Sequence, residues 1–379
     1  MGARNIGRIR RLVVKVGTGT LTDRAGRFDR SNCARLGAEL AEVARGRRLV
    51  LVSSGAVALG AERLGLARAA GKPWDIPTKQ ACAAVGQPHL MSAWGESLGS
   101  HGVNVAQVLL TADDLASRRR FLNARRTLEK LLEAGIVPVV NENDTVAVDE
   151  IKVGDNDTLA GLVAGCVEAE LVAMLTDVEG LYDRDPSRPG AVVLHDVPRV
   201  TAEIERVAGG AGSDRSVGGM ATKVHAARRL SAQGVATALL SGRRAGAIAA
   251  LLAGERIGTL FAPGHRRLTS RKGWLAAAAR GKGTIVVDAG ARRALVEGGR
   301  SLLPSGVRGV EGQFGVGDPV DVAVDPGKPF ARGLAGYAAD EVRRIAGLKS
   351  AEIERALGYK YLDEVVHRND LVLLEAGRE

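Results

Sequence analysis

The chain has 379 residues, too many for one comfortable hydrophobic core, so two domains are expected. Hydrophobic residues make up 45% and charged residues 25%, values that exclude fibrous and disordered classes. Aromatics reach only 3%, which leaves the core to Val, Leu, Ile and Ala.

The formal net charge of +10 is unevenly spread. Residues 1–275 carry 38 Lys and Arg against 28 Asp and Glu, whereas residues 276–379 carry 15 of each. The positive charge therefore belongs to the larger part. A solvated arginine surface accounts for most of it, and an anionic substrate such as a nucleotide for some of the rest. Near the basic start only Leu12–Val14 precede Lys15, too short a run for a signal-peptide core, and no apolar run approaches 18 residues. A soluble, cytoplasmic protein with no membrane partner is expected. Cys33, Cys82 and Cys166 lie far apart, and the six histidines include no HExxH, so neither a disulfide framework nor a dedicated metal site is assigned.

In chain order, Arg11–Val16 reads as a strand and Ser31–Ala44 as a helix with Leu36, Leu40 and Val43 on one face. Arg48–Val52 is a second buried strand, followed by a helix over Ala56–Leu64. Val103–Leu110, Ile136–Val140, Leu171–Leu175 and Val235–Leu240 repeat the strand pattern. Near-continuous apolar strands separated by helices imply a mainly parallel sheet covered on both faces, an α/β three-layer arrangement. Near residue 275 the composition changes: Arg271–Ala279 reads as a connecting helical piece. Short runs follow at Thr284–Val287, Val307–Val310, Pro319–Val324 and Leu371–Leu374. A second, mostly-β domain with one or two helices is expected over 276–379.

Ligands of such α/β folds gather at the carboxyl ends of the strands. There this chain places Gly17-Thr18-Gly19, Ser53-Ser54-Gly55-Ala56, Asn141-Glu142-Asn143-Asp144 and Thr176-Asp177, all small or polar. Neither GxxxxGK[ST] nor GxGxxG is present. Lys15 before glycines offers a cation at a strand end, although a surface lysine before a turn explains it equally well. Ser216 to Lys223 feeds glycines into a helix start, which suits an anion, or a flexible loop capped by Thr222. Asp155-Asn156-Asp157 precedes the apolar helix Leu159–Val163, and one of the three, Asp157, could serve as N-cap. Three such residues in succession suggest more than a cap: they could hold lysines or a magnesium ion.

Together these segments resemble the amino-acid kinase family, in particular the glutamate 5-kinases. The resemblance rests on Val13–Thr18, Ser53–Ala56, Arg120–Arg125, Pro138–Asp144, Glu150–Asp157, Leu175–Asp177 with Gly180–Tyr182, and Gly218–Met220 with Thr222-Lys223. Residues 282–374 resemble a PUA domain, through Ser301–Pro304 and His367–Asp370. The resemblance implies an amino-acid kinase domain over 1–275 and a PUA domain over 276–379. It implies that ATP, with Mg²⁺, phosphorylates the side-chain carboxylate of L-glutamate, the alternative within the family being a kinase for acetylglutamate, aspartate or carbamate. Lys15 and Lys223 would contact the transferred phosphate, and Asp157 would hold both lysines. Ser54, Asp144 and Asn156 would bind the amino acid. Lys15, Thr176, Asp177 and the run Val217, Gly218, Gly219, Met220, Ala221, Thr222 and Lys223 would bind ATP. The family usually has Gly-Thr or Gly-Ser where this chain has Ser216-Val217, so a hydroxyl and a glycine near ATP are displaced or lost. The resemblance favours a homo-oligomer. PUA domains also occur in RNA-modifying enzymes, so RNA binding is an alternative role for 276–379, against which its zero net charge speaks.

Overall fold

The computed structural model describes residues 6–23, 25–66, 74–116, 118–147, 156–209, 219–264, 281–325 and 328–374. It divides into two compact units, Met1–Ala116 with Asn123–Arg266, and Ser117–Leu122 with Arg267–Glu379. The expected connecting helix over Arg271–Ala279 lies outside the described residues.

In the first unit the chain runs β1 (Arg11–Val16), α1 (Thr18–Leu21), α2 (Arg30–Gly46), β2 (Arg48–Ser53), α3 (Ala56–Arg63), α4 (Ile76–Gly99), β3 (Val105–Leu110) and α5 (Ala112–Ala116). It continues, from Asn123 onward, through α6 (Arg118–Glu133), β4 (Val137–Glu142), α7 (Asn156–Cys166), β5 (Leu171–Thr176), β6 (Asp196–Val197), α8 (Ala202–Ala208), α9 (Met220–Ala232), β7 (Ala236–Ser241), α10 (Ala247–Leu252) and β8 (Thr259–Phe261). Among the described residues eight strands form one sheet in the order β3-β4-β2-β1-β5-β7-β8-β6, parallel except where β7 meets β8. Each strand the hydrophobic runs predict is present.

The apolar runs have a simple cause: the central strands are covered on both faces, so every position must be apolar. Alternate side chains of β1, Leu12, Val14 and Val16, join Leu49 and Leu51 of β2 against Leu36 and Leu40 of α2 and Leu90 and Trp94 of α4. Val13 and Val50 are equally buried on the opposite face, where α7 packs on β1, β2, β4 and β5. Fully burying each such side chain contributes about 1.5–3 kcal/mol. Helix starts are set by local chemistry. Asp29 accepts from the Asn32 N–H at 2.9 Å before α2, and Asp75 from the Thr78 N–H at 3.0 Å before α4.

Helix α4, 24 residues long, is an element the hydrophobic pattern does not announce. Its composition is small and mixed, with prolines at Pro77 and Pro88, and its apolar stripe is correspondingly weak. Tertiary packing supplies what patterning lacks. A Cβ on Gly60 of α3 would lie 1.7 Å from the Cys82 carbonyl oxygen, and one on Gly86 of α4 would lie 1.8 Å from that of Ala56. The two helices therefore touch backbone to backbone.

The second unit holds β9 (Gly283–Val287), α11 (Ala289–Val296), β10 (Val307–Gly312), β11 (Pro319–Ala323), β12 (Pro329–Leu334), α12 (Ala339–Ile345), α13 (Ile353–Leu357) and β13 (Leu371–Leu373). Its five described strands follow the order β10-β9-β11-β12-β13. Ile285, Val287, Val320, Val322, Tyr337, Val342 and Ile345 fill its core. Two differences from expectation stand out. Strand β12 is concealed in sequence by its leading Pro329 and by Arg332, which is buried by a 2.6 Å ion pair with Asp321. Three short α-helices occur among the described residues, rather than one or two.

Gly86→Ala should force α3 and α4 apart and cost about 3 kcal/mol. A Tm lower by roughly 6–12 °C is expected in a thermal melt of the full chain. An unchanged Tm would show that the helices have room to spare.

Candidate active site

The carboxyl ends of β4, β2, β1 and β5 lie side by side on one edge of the sheet, because Val52 pairs with Val140, Val16 with Ser53 and Val16 with Leu175. From β1 the chain builds outward to β2 and the edge strand β3, inserts β4 between them, and then returns to place β5 on the other side of β1. Such a reversal opens a crevice at the strand ends. Asn141, Ser54, Lys15 and Thr176 therefore follow one another across this edge.

At its centre lies Asp157, in the first turn of α7 and fully buried. Its Oδ1 is 2.6 Å from Lys15 Nζ and its Oδ2 is 3.1 Å from Lys223 Nζ. Both lysines are themselves buried, at 4% and 7% exposure. Burial works against the Asp157 anion, but the two ammonium groups outweigh it and hold the carboxyl below its ordinary range. A carboxylate in the first helical turn also meets the positive end of the α7 dipole. The N-cap reading of Asp157 is thus replaced: it lies inside the helix and its oxygens face lysines. Thr222 is likewise not a cap but part of the first turn of α9, whose N-cap is Gly219. Its hydroxyl donates to the Gly219 carbonyl at 2.7 Å and lies 3.3 Å from Asp157 Oδ2.

The residue before Asp157 serves a second cluster. Asn156 Nδ2 donates to Ser54 Oγ at 2.7 Å and to Asn141 Oδ1 at 3.1 Å. Asn141 Nδ2 in turn donates to Gln87 Oε1 at 2.8 Å. Ser54 leads into α3 through Gly55, whose φ of 114° is a conformation that side chains resist. Asp144 sits in the turn after β4, half-buried, and burial pushes its carboxyl up to about 6.

On the other side, Thr176 ends β5 buried and donates to the exposed Asp177 carboxylate at 2.9 Å. Gly219, Met220 and Ala221 open α9 beside Lys223. Val217 and Gly218, with the unusual Ser216, lie outside the described residues, as does Asp155. The structure thus brings Lys15, Lys223 and Asp157 together, joins Ser54 to Asn156, and sets Thr176 and Asp177 across β1 from them. Asn141, which pattern reading places at a strand end without a role, and Gln87, which it passes over, are buried polar partners. Their signal is an amide at a strand end and another inside a helix.

These positions can be set beside known proteins. A sequence model of the Amino acid kinase family matches residues 10–240, and one of the PUA domain matches residues 283–357. A glutamate 5-kinase from Anaeromyxobacter dehalogenans is 84% identical over 372 residues, 98% of either chain. The chain belongs to the amino acid kinase family, among its glutamate 5-kinases. A glutamate 5-kinase from Myxococcus xanthus is 57% identical, with 96% of each chain covered. Among solved structures, a carbamate kinase from Giardia lamblia bound to AMP-PNP is 17% identical, with a TM-score of 0.49, covering 68% of this chain and 99% of that one.

Replacing Asp157 by Asn would leave two buried ammonium groups without a counter-charge. A loss of about 3–5 kcal/mol is expected, read from denaturant unfolding. The native carboxyl titrates below its unfolded value, so the stability it contributes is present above about pH 4 and is lost as the pH falls further. An Asp157→Asn protein as stable as the parent at pH 7 would remove the clamp from the folding argument.

Proposed function

We infer that this protein transfers the γ-phosphate of ATP to the side-chain carboxylate of L-glutamate, giving L-glutamyl 5-phosphate, the first step of proline biosynthesis. The observation that carries the reading is the buried Lys15–Asp157–Lys223 clamp at the strand ends. It stands in a chain 84% identical to a glutamate 5-kinase over nearly its whole length.

The chemistry suits these groups. A carboxylate is already ionised at neutral pH, so its attack on phosphorus needs no general base. The barrier lies in bringing one anion to a polyanion, and such transfers are accelerated by positioning and by cations around the moving group. Lys15 and Lys223 supply two cations, and Asp157 fixes their separation without neutralising both. Mg²⁺ would enter with ATP, as part of the substrate. We assign the nucleotide to the β5 side, with Thr176, Asp177 and the start of α9 through Gly219, Met220, Ala221 and Thr222. The amino acid is assigned to the β2 and β4 side, with Ser54 and Asn156. Asp144 is the anionic partner proposed for its ammonium group.

We place catalysis in residues 1–275 and a regulatory or assembly role in 276–379, whose charge balances to zero. A homo-oligomer in the cytoplasm fits the family. No helix among the described residues is long and apolar enough to cross a membrane, and all three cysteines are buried.

Trapping the acyl phosphate with hydroxylamine tests the function directly. Glutamate, ATP and Mg²⁺ should give the hydroxamate, whereas aspartate, acetylglutamate and carbamate should not support turnover. In the same assay Lys15→Ala and Lys223→Ala should each lose about 10²-fold or more in kcat while remaining folded. Preference for another acid, or near-normal turnover by either lysine variant, would overturn the corresponding assignment.

Asp144 makes a pH prediction. Below about 6 its carboxyl is protonated and no longer attracts an ammonium group. The kcat/KM for glutamate should therefore fall as the pH drops through that region, since this ratio reports the free enzyme. Asp144→Asn should raise the glutamate KM, remove this pH dependence and leave the KM for ATP nearly unchanged. A parent-like KM for glutamate in Asp144→Asn would dismiss the assignment.

A further inference from the structure

Helix α4 supplies no residue to the site as assigned above, yet it meets that site at three evenly spaced places. Gln80 Nε2 donates to the Ala147 carbonyl at 3.3 Å, just beyond the turn that carries Asp144. Gln87 Oε1 accepts from Asn141 at 2.8 Å, at the end of β4. Trp94 Nε1 donates to Ser53 Oγ at 2.8 Å, and that hydroxyl donates to the Ser54 carbonyl at 3.0 Å. Steps of seven residues return to nearly the same helix face, so the three form one polar stripe.

The middle contact is distinctive because it carries direction. A primary amide has a donor end and an acceptor end of nearly equal size, and only its partners decide which way it points. Asn156 uses its Nδ2 for both Ser54 and Asn141, which turns its buried Oδ1 away from them. That Oδ1 has no hydrogen-bond partner among the described residues. The arrangement holds only while Asn141 presents its oxygen to Asn156. Turned over, Asn141 would oppose one N–H donor with another. Gln87, itself only 8% exposed, opposes this with its oxygen, which accepts from the Asn141 nitrogen, while its buried Nε2 has no hydrogen-bond partner among the described residues.

We propose that Gln87 is a positioning residue: through Asn141 it fixes the amide orientation of Asn156, and so the affinity for the amino-acid substrate. The proposal rests on the assignment of Asn156 to glutamate binding. The Gly60 and Gly86 contacts that press α3 against α4 hold Gln87 at a fixed depth. The ATP side of the crevice, across β1, is outside this thread.

The test is steady-state kinetics of the full chain, with thermal melts as the folding control. Gln87→Met removes the acceptor at similar volume and should raise the glutamate KM about tenfold, with the ATP KM held within about twofold. Gln87→Glu keeps an acceptor oxygen, and burial favours its neutral form, so its glutamate KM should stay within about threefold of the parent. In an Asn156→Ala background Gln87→Met should add less than about twofold, because the residue it orients is gone. Equal rises in both KM values, a Gln87→Glu protein with a tenfold defect, or full multiplication of the two single effects would each overturn the proposal. If Gln87→Met fails to fold, the Gln87→Glu result decides alone. Glutamate turnover by the parent protein tests the underlying function separately, so the two failures are distinguishable.

Discussion

One carboxylate shared by two lysines governs the rest of this site. Burying an ammonium group alone is costly, and burying two within reach of one another is worse. Asp157 offsets this with an oxygen for each, at 2.6 and 3.1 Å. Three charges in one place leave a net excess of one positive. In water that excess would matter little, but inside the protein a charge interacts several times more strongly. The clamp is thus a stable structure that remains short of negative charge, the condition for drawing in a phosphate. Its members come from three distant stretches, β1, α7 and α9, so it exists only once the sheet and both helices have assembled.

The same turn of α7 divides the labour across the sheet. Asp157 turns toward the lysines, while its neighbour Asn156 turns toward Ser54 and Asn141. Adjacent residues at a helix start point about 100° apart, so a single backbone fixes both clusters in register. On the assignment proposed above, the distance between the acid to be phosphorylated and the cations around the moving phosphate is therefore built into one rigid element. A parallel sheet suits this purpose, since all the contributing strand ends open on the same edge.

How much of this was legible in sequence follows from the kind of force involved. Strands β1, β2, β4, β5 and β7 are legible because burial on both faces demands unbroken apolar runs. Lys15, Asp157 and Lys223 are legible as odd residues, a cation ending an apolar strand and carboxylates crowding a helix start. Their convergence is not, because spacings of 142 and 66 residues carry no geometric information until a topology is known. Asp157 was open to an N-cap reading because a cap and an ion pair draw on the same residue type at nearly the same place. Helix α4 stayed hidden for a different reason: its stability comes from glycine-mediated contact with α3, which leaves little amphipathic trace. Gln87 was invisible along with it. A buried amide is unremarkable in a string of letters and informative only beside its partner.

The two kinds of polar contact in the site impose different demands. Charge acts over distance and tolerates small displacements, so the lysine clamp needs only approximate placement to favour a phosphate. Amide hydrogen bonds act over a few tenths of an ångström and have a sense of direction, so recognition of a small zwitterion depends on orientation. The fold allots its resources accordingly. The charges sit on the first turns of α7 and α9 and at the end of β1, whereas the amide thread runs from the first turn of α7 through the end of β4 to α4, which backbone-to-backbone packing holds against α3. Discrimination among carboxylic acids that differ by one methylene would then depend on the stiffness of a helix that touches no phosphate. Electrostatic attraction alone would admit every anion of the right size; on the proposed assignment the amides supply the shape that it lacks.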